Sequence, residues 1–290
     1  MMETVLMEKF VQVDGVSKAY GDNIVLEGVN LRMTQGELCT VVGPSGCGKS
    51  TLLRLILGQE QPTAGTVKVH GKEVGEPSPE RGIVFQRYSL FPHLTVLGNI
   101  MAGSRLSLGL IESRRCKKTI EQEALQYLDY VNLSEHARKY PHELSGGMQQ
   151  RVAIAQALIK KPKILLMDEP FGALDPGTRE AMQVLILDLW KRHGMTIFFV
   201  THDLEEAVYL GTRILVLSQY YQGADLDRPL NSWGARIVAD YPLRRVAAST
   251  RVKETASFGH LIGEIRREGF DPEYLQAIED FNLQHPDSVL

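Results

Sequence analysis

From Phe10 to Glu37 apolar and polar residues alternate, with turn signals at Tyr20-Gly21-Asp22-Asn23 and Gln35-Gly36. That pattern predicts several short antiparallel strands. Leu38 to Val42 is a largely apolar strand, and it leads through Gly43-Pro44-Ser45-Gly46-Cys47-Gly48-Lys49-Ser50-Thr51 into a helix carrying Leu52, Leu53, Leu55, Ile56 and Leu57. Between about Gln86 and Lys161 the period turns helical, with Ile120, Ala124, Tyr127, Leu128 and Val131 on one stripe. After Pro162 come unalternating apolar runs, Ile164–Met167, Thr196–Val200 and Ile214–Leu217, as in strands covered on both faces of a parallel sheet. Met182, Leu185, Ile186, Leu189 and Trp190 mark a helix between them. Beyond Leu217 two helices are expected, one with Phe258, Leu261, Ile262 and Ile265 in register and one opening at Asp271-Pro272. Tyr274, Leu275, Ile278 and Phe281 would face inward from the second, and both would dock on the chain's own core.

Composition adds limits. At 290 residues, 43% hydrophobic and 23% charged, the chain can bury a large α/β core. A net charge of -3 gives no basic field for nucleic acid. The run Arg114-Arg115-Cys116-Lys117-Lys118 reads as a solvated helix face, and Lys160-Lys161-Pro162-Lys163 as cations closing a helix dipole. Three cysteines, Cys39, Cys47 and Cys116, show no zinc spacing and fit a reducing compartment. Met1 to Leu6 does not resemble a signal peptide, and no apolar run is long enough to span a bilayer, so any membrane role is expected to come through partners.

Gly43-x-x-x-x-Gly48-Lys49-Ser50 is a phosphate-binding loop between a strand and a helix. Its backbone N–H groups and the helix N-terminus would cradle phosphate, Lys49 would reach the β- and γ-phosphates, and Ser50 would ligate magnesium. Asp168, ending a buried strand, is the expected magnesium carboxylate, and Glu169 after it is placed to orient or deprotonate the attacking water. Cys47, near a helix N-terminus, is expected to favour its thiolate, as incidental reactivity rather than catalysis. Ser145, Gly146 and Gly147 open a helix and form a second anion-binding end.

Leu144-Ser145-Gly146-Gly147-Met148-Gln149-Gln150-Arg151 resembles the signature of ABC ATPases, and the rest of that family's pattern is present in order over about Lys9 to Ser218. The resemblance implies ATP and Mg2+ as cofactors. It implies that Tyr20 stacks on adenine, and that Gln86 links magnesium and attacking water to the membrane subunits. Asp175 would communicate between sites, and His202 would contact the γ-phosphate. It further implies that the signature caps ATP held by a second subunit in a head-to-tail dimer, expected to be a homodimer. The implied fold is a phosphate-loop, RecA-like α/β ATPase core with N-terminal antiparallel strands, an inserted helical subdomain and a short C-terminal helical extension. Expected boundaries are 1–220 for the ATPase domain (core 1–86 and 162–220, helical subdomain 87–161) and 221–290 for the extension.

Phe85 to Ile100, Leu144 to Arg151 and Phe171 to Arg179 look most like the nitrate/sulfonate/taurine group of importer ATPases. That resemblance implies separate permease subunits, a solute-binding protein reached through them, and a place on the cytoplasmic face of the membrane. An exporter motor and a soluble non-transport ABC ATPase are the alternatives. Gln219-Tyr220-Tyr221-Gln222-Gly223 departs from the basic Pro-Gly turn usual in the group, and nothing beyond it matches a known pattern.

Overall fold

The computed structural model describes residues 9–86, 89–105, 115–222, 233–243, 253 and 255–288. Met1 to Leu6, Arg87, Tyr88, Arg114 and Gly223, which belong to stretches singled out above, lie outside these. The described chain forms two compact units, one from the residues up to Pro77 and from Met195 on, the other Ser78–Gly194.

In the first unit, β1 (Lys9–Tyr20) and β2 (Asn23–Thr34) are 12-residue antiparallel strands rather than several short ones. Register shifts between Val13 and Val16, on either side of Gly15 at φ 57°, let one long ribbon absorb breaks in the alternation. Strands β4 (Ala64–Val69) and β5 (Lys72–Glu73) extend this sheet in the order β2-β1-β4-β5.

The unit's second sheet centres on β3 (Leu38–Val42), which pairs in parallel with both β8 (Thr196–Val200) and β9 (Arg213–Ser218). Every residue of these three strands is buried, as unalternating apolar runs require. Helix α1 (Lys49–Leu57) follows β3 through the phosphate-loop sequence.

The C-terminal segment joins this sheet. Strand β11 (Arg236–Pro242) pairs antiparallel with β9, and β13 (Asn282–Leu283) pairs with β11. The pairing is locked by a buried bidentate contact. Arg213 Nε and Nη2 donate to Asp240 Oδ1 and Oδ2 at 2.7 and 2.6 Å, and both side chains are almost wholly out of solvent. The expected helix with Phe258 and Ile265 inward is present as Ala256–Phe270. It lies close on the sheet, since a Cβ at Gly269 would meet Val216 Cγ1 at 2.2 Å. The helix expected from Asp271-Pro272 does not form. Asp271 Oδ1 instead accepts from Glu273 N at 2.9 Å in a turn, and Gln276–Ala277 (β12) pairs with Tyr221–Gln222 (β10). Of the four residues expected to face inward, Phe281 is buried and meets the Tyr221 ring edge-on at 5.7 Å, Leu275 and Ile278 are half-buried, and Tyr274 stays exposed, since no helix sets them on one face.

The second unit holds β6 (Arg81–Phe85) and β7 (Ile164–Asp168), a parallel pair, and, among the described residues, the helices α2 (Val96–Arg105), α3 (Lys117–Tyr130), α4 (Gly146–Leu158) and α5 (Pro176–His193). Ile120, Ala124, Leu128 and Val131 bury against Val96, Ile100, Val152 and Ala155, as the stripe predicts. Met182, Ile186 and Leu189 are likewise buried on α5. Helices α6 (Leu204–Leu210) and α7 (Ala256–Phe270) belong to the first unit.

Candidate functional site

The residues singled out from sequence fall into two groups, one in each unit. In the first unit, Gly43 and Gly48 shape the loop. Gly48 sits at φ 101°, where its missing Cβ leaves room for Leu26 and Val25 at under 3 Å. Gly43, at φ 155°, would drive a Cβ to 2.0 Å from the Leu217 carbonyl. Ser45 and Gly46 face solvent while Gly43, Cys47, Gly48, Lys49 and Thr51 are buried and Pro44 and Ser50 half-buried. Lys49 Nζ donates to the Gly43 and Pro44 carbonyls at 2.7 and 2.9 Å, which holds its charge over the loop's own backbone. An anion there would exchange two neutral acceptors for a charged one.

Cys47 departs from expectation. Its thiol donates to the Leu217 carbonyl at 3.3 Å, and burial pushes its pKa up against the opposing pull of Lys49 and the nearby amides. The helix N-terminus is close, but desolvation wins, and the thiolate is disfavoured.

Tyr20 ends β1 and remains 45% exposed. Its hydroxyl donates to Glu60, and burial together with that carboxylate raises the phenol's pKa. His202 is exposed just beyond β8, beside a groove bordered by Ile262, Arg266 and Phe270 of α7. Asp203 after it caps α6, its Oδ1 accepting from Glu205 and Glu206 N at 3.0 and 3.2 Å.

In the second unit, β6 and β7 run side by side with Phe85 opposite Asp168, so Gln86 and Glu169 leave adjacent strand ends together. Glu169 holds a left-handed φ of 46°, a conformation that costs a β-carbon residue about 1–3 kcal/mol. The turn it starts is closed by Gly172 N donating to Glu169 O at 3.2 Å. A Cβ at Gly172 would lie 3.1 Å from Gln86 Nε2, so the amide packs onto this same turn.

Ser145 caps α4, its Oγ accepting from Met148 N at 3.4 Å, which leaves the hydroxyl proton available to donate. Gly146 and Gly147 form the first turn. Asp175 caps α5 by accepting from Thr178 N at 3.0 Å, and the Thr178 contacts hold its carboxyl below the usual value. Thr178 Cγ2 would lie 2.3 Å from a Cβ at Gly147. The structure thus brings the signature turn against the cap of the Asp175 helix, a contact that sequence spacing does not reveal. Asn99 also escaped notice: wholly buried, it accepts from Phe91 N at 2.7 Å and donates to the Phe91, Leu94 and Thr95 carbonyls, clamping the segment that follows Gln86. The sequence offers no more than an Asn seven residues after the Phe91-Pro92 pair, since its burial and its clamp belong to the fold.

Among the described residues no cluster of three or more His, Cys, Asp or Glu could hold a metal unaided. The donors nominated for one, the Ser50 hydroxyl, the Gln86 carbonyl and the Asp168 carboxylate, are hard oxygens of the kind magnesium takes alongside phosphate. Among the described residues no helix is long and apolar enough to cross a membrane.

The family model described as ABC transporter matches residues 26–172. The chain is 42% identical over 212 residues to the aliphatic sulfonates import ATP-binding protein SsuB of Bacillus cereus, covering 72% of this chain and 81% of that one. It is 49% identical over 198 residues to the nitrate import ATP-binding protein NrtD of a Synechocystis species, covering 68% and 72%. A dimeric ATP-binding cassette solved in a post-hydrolysis state with ADP and phosphate superposes with a TM-score of 0.64 at 32% identity, covering 81% of this chain and 99% of that one. The shared fold is RecA-like α/β.

Proposed function

The chain belongs to the ATP-binding, ATP-hydrolysing subunits of ABC transporters, and from that premise we propose that it powers an importer of a small polar solute of the nitrate, sulfonate or taurine type. MgATP is read as bound by the Gly43–Thr51 loop, with Tyr20 on adenine and Asp168, Ser50 and Gln86 toward the metal. The metal would shield charge on the phosphates. Glu169 would orient and deprotonate the attacking water, and His202 would hold the γ-phosphate. Ser145, Gly146, Gly147 and Asp175 would act on the nucleotide of a second subunit. The observation that carries the hydrolytic reading is Glu169, in a costly backbone conformation one residue beyond Asp168 and packed beside Gln86. Backbone strain of this kind concentrates at working sites.

The importer reading is supported by the relatives' likeness, and its seat would be the cytoplasmic face of a membrane, against permease subunits fed by a solute-binding protein. Deleting the gene and measuring uptake of labelled nitrate, an alkanesulfonate and taurine tests it. Uptake of one solute should fall to background and return with the wild-type gene. Solute retention rising on deletion would favour an exporter, and purification from the host's membranes without any integral membrane protein would favour a soluble ATPase.

A further inference from the structure

Tyr20 does not stand alone. Its hydroxyl donates to Glu60 Oε2, and the same carboxylate receives Lys18 Nζ at 3.4 Å and, on its other oxygen, Arg54 Nη1 at 3.2 Å. Lys18 Nζ also donates to the Gln61 carbonyl at 2.8 Å, which leaves it 5.0 Å from the centroid of the Tyr20 ring. Ala19 N donates to Thr63 Oγ1 at 3.0 Å and Thr63 N to Ser17 O at 2.8 Å, so the end of β1 is stitched to the segment that carries Glu60. Lys18 and Glu60 are mostly buried at the side chain, whereas Tyr20 keeps 45% of its surface open.

An unrestrained surface tyrosine samples several rotamers, and a stacking partner would have to freeze it. Here the hydroxyl is fixed by a carboxylate that two cations hold in turn. One ring face is taken by the Lys18 ammonium, while 45% of the residue's surface stays open to solvent. A cation on the far face also draws π-density from the ring, which favours stacking against an electron-rich heterocycle.

Resting on the reading of Tyr20 as the adenine-stacking residue, we propose that Lys18 and Glu60 are positioning residues for base recognition: Glu60 fixes the phenol and Lys18 covers one ring face, so that the opposite face is presented to adenine. Neither touches the phosphates in this scheme, so both should govern affinity for the base without governing affinity for the phosphate chain.

The test compares Kd for ATP with Kd for inorganic tripolyphosphate, which occupies the phosphate loop and lacks a base, on the full chain. Lys18→Met keeps the aliphatic stem and loses the charge, and it should weaken ATP about two- to fivefold, the range of an exposed cation–π contact. Glu60→Ala should weaken ATP by a similar factor, and Glu60→Gln, which retains an acceptor for the phenol, should recover part of it. Tripolyphosphate affinity should stay unchanged in all three. Tyr20→Ala should lose at least about fivefold, as base–aromatic stacks do. Adding Lys18→Met to Tyr20→Ala should then cost nothing more. If Tyr20→Ala weakens ATP while Lys18→Met and Glu60→Ala do not, the positioning roles are overturned and the Tyr20 reading survives. If Tyr20→Ala itself leaves ATP affinity intact, the Tyr20 reading fails. Parallel loss of ATP and tripolyphosphate affinity would mark a merely structural effect and overturn the proposal. Glu60→Gln keeps the comparison open if Glu60→Ala does not fold.

Discussion

At the scale of single residues, spacing announces the groups that chemistry requires but not the surroundings that tune them. Lys49, Asp168 and Glu169 are legible as candidates because a phosphate loop and an acidic strand end are defined by residue type and interval. Lys18 and Glu60 were not, since their bearing on Tyr20 arises from a fold-back between β1 and the segment after α1. Cys47 shows the opposite failure: proximity to a helix N-terminus suggested a thiolate, and burial reverses it. At pH 8 Cys47 and Cys39, both buried with raised pKa values, should alkylate far more slowly with iodoacetamide than half-buried Cys116. Mass mapping of the labelled peptides reads this, and equal labelling of Cys47 and Cys116 in the native chain would contradict the burial account. Because the folded pKa values lie above the unfolded ones, this pair costs nothing below the unfolded value of about 8.5 and destabilises the fold increasingly as pH rises past it. For Glu169, replacement by Gln keeps the size and removes the base. Glu169→Gln should bind MgATP like wild type and hydrolyse it at least about a hundredfold more slowly. Steady-state phosphate release beside nucleotide Kd is the check, and wild-type turnover would remove Glu169 from the mechanism.

At the scale of elements, the buried strands β3, β7, β8 and β9 follow from apolar runs, and the stripes of α3 and α5 follow from a 3.6-residue period. The C-terminal segment was read less well, for a physical reason. Ile237, Val238 and Ala239 make too short an apolar run for β11 to declare itself, since Asp240 interrupts it, and the strand is held in the sheet by the ion pair of that Asp240 with Arg213. Asp271-Pro272 can begin either a helix or a turn, and pairing of Gln276 with Tyr221 decides for the turn. The lock between β9 and β11 can be tested directly. Asp240→Ala leaves the Arg213 guanidinium buried with Glu37 at 3.4 Å as its remaining carboxylate, and the loss should be about 3–5 kcal/mol. Ser288→Ala, which removes one donor to Asp240 and leaves the ion pair, should cost much less. Thermal and denaturant melts measure both. Near-equal melting of Asp240→Ala and wild type would show that the pair contributes little. Truncation after Ser218 removes β11 together with Asp240, and should yield insoluble protein.

At the scale of the whole molecule, the proposed function calls for two copies, a reading supported by the likeness to a dimeric ATP-binding cassette, because Ser145 at the capped start of α4 is read as serving a second subunit's nucleotide. Under the head-to-tail reading, Ser145 belongs to the partner's nucleotide and Lys49 to the subunit's own. Ser145→Arg should therefore leave ATP affinity of the isolated subunit nearly intact and abolish hydrolysis by the dimer, whereas Lys49→Ala should lose ATP affinity itself. Each pure variant damages both sites of its dimer once. A dimer with one subunit of each kind concentrates the damage: one site carries both substitutions, and the other combines an intact loop with an intact signature. Mixing the two inactive proteins should restore a fraction of wild-type hydrolysis that follows the proportion of mixed dimers. Differently tagged subunits, purified in tandem and assayed for phosphate release, measure that fraction. Mixed dimers that form and stay inactive would remove the trans assignment of Ser145, while the reading of Lys49 in its own subunit's loop would still rest on its ATP affinity.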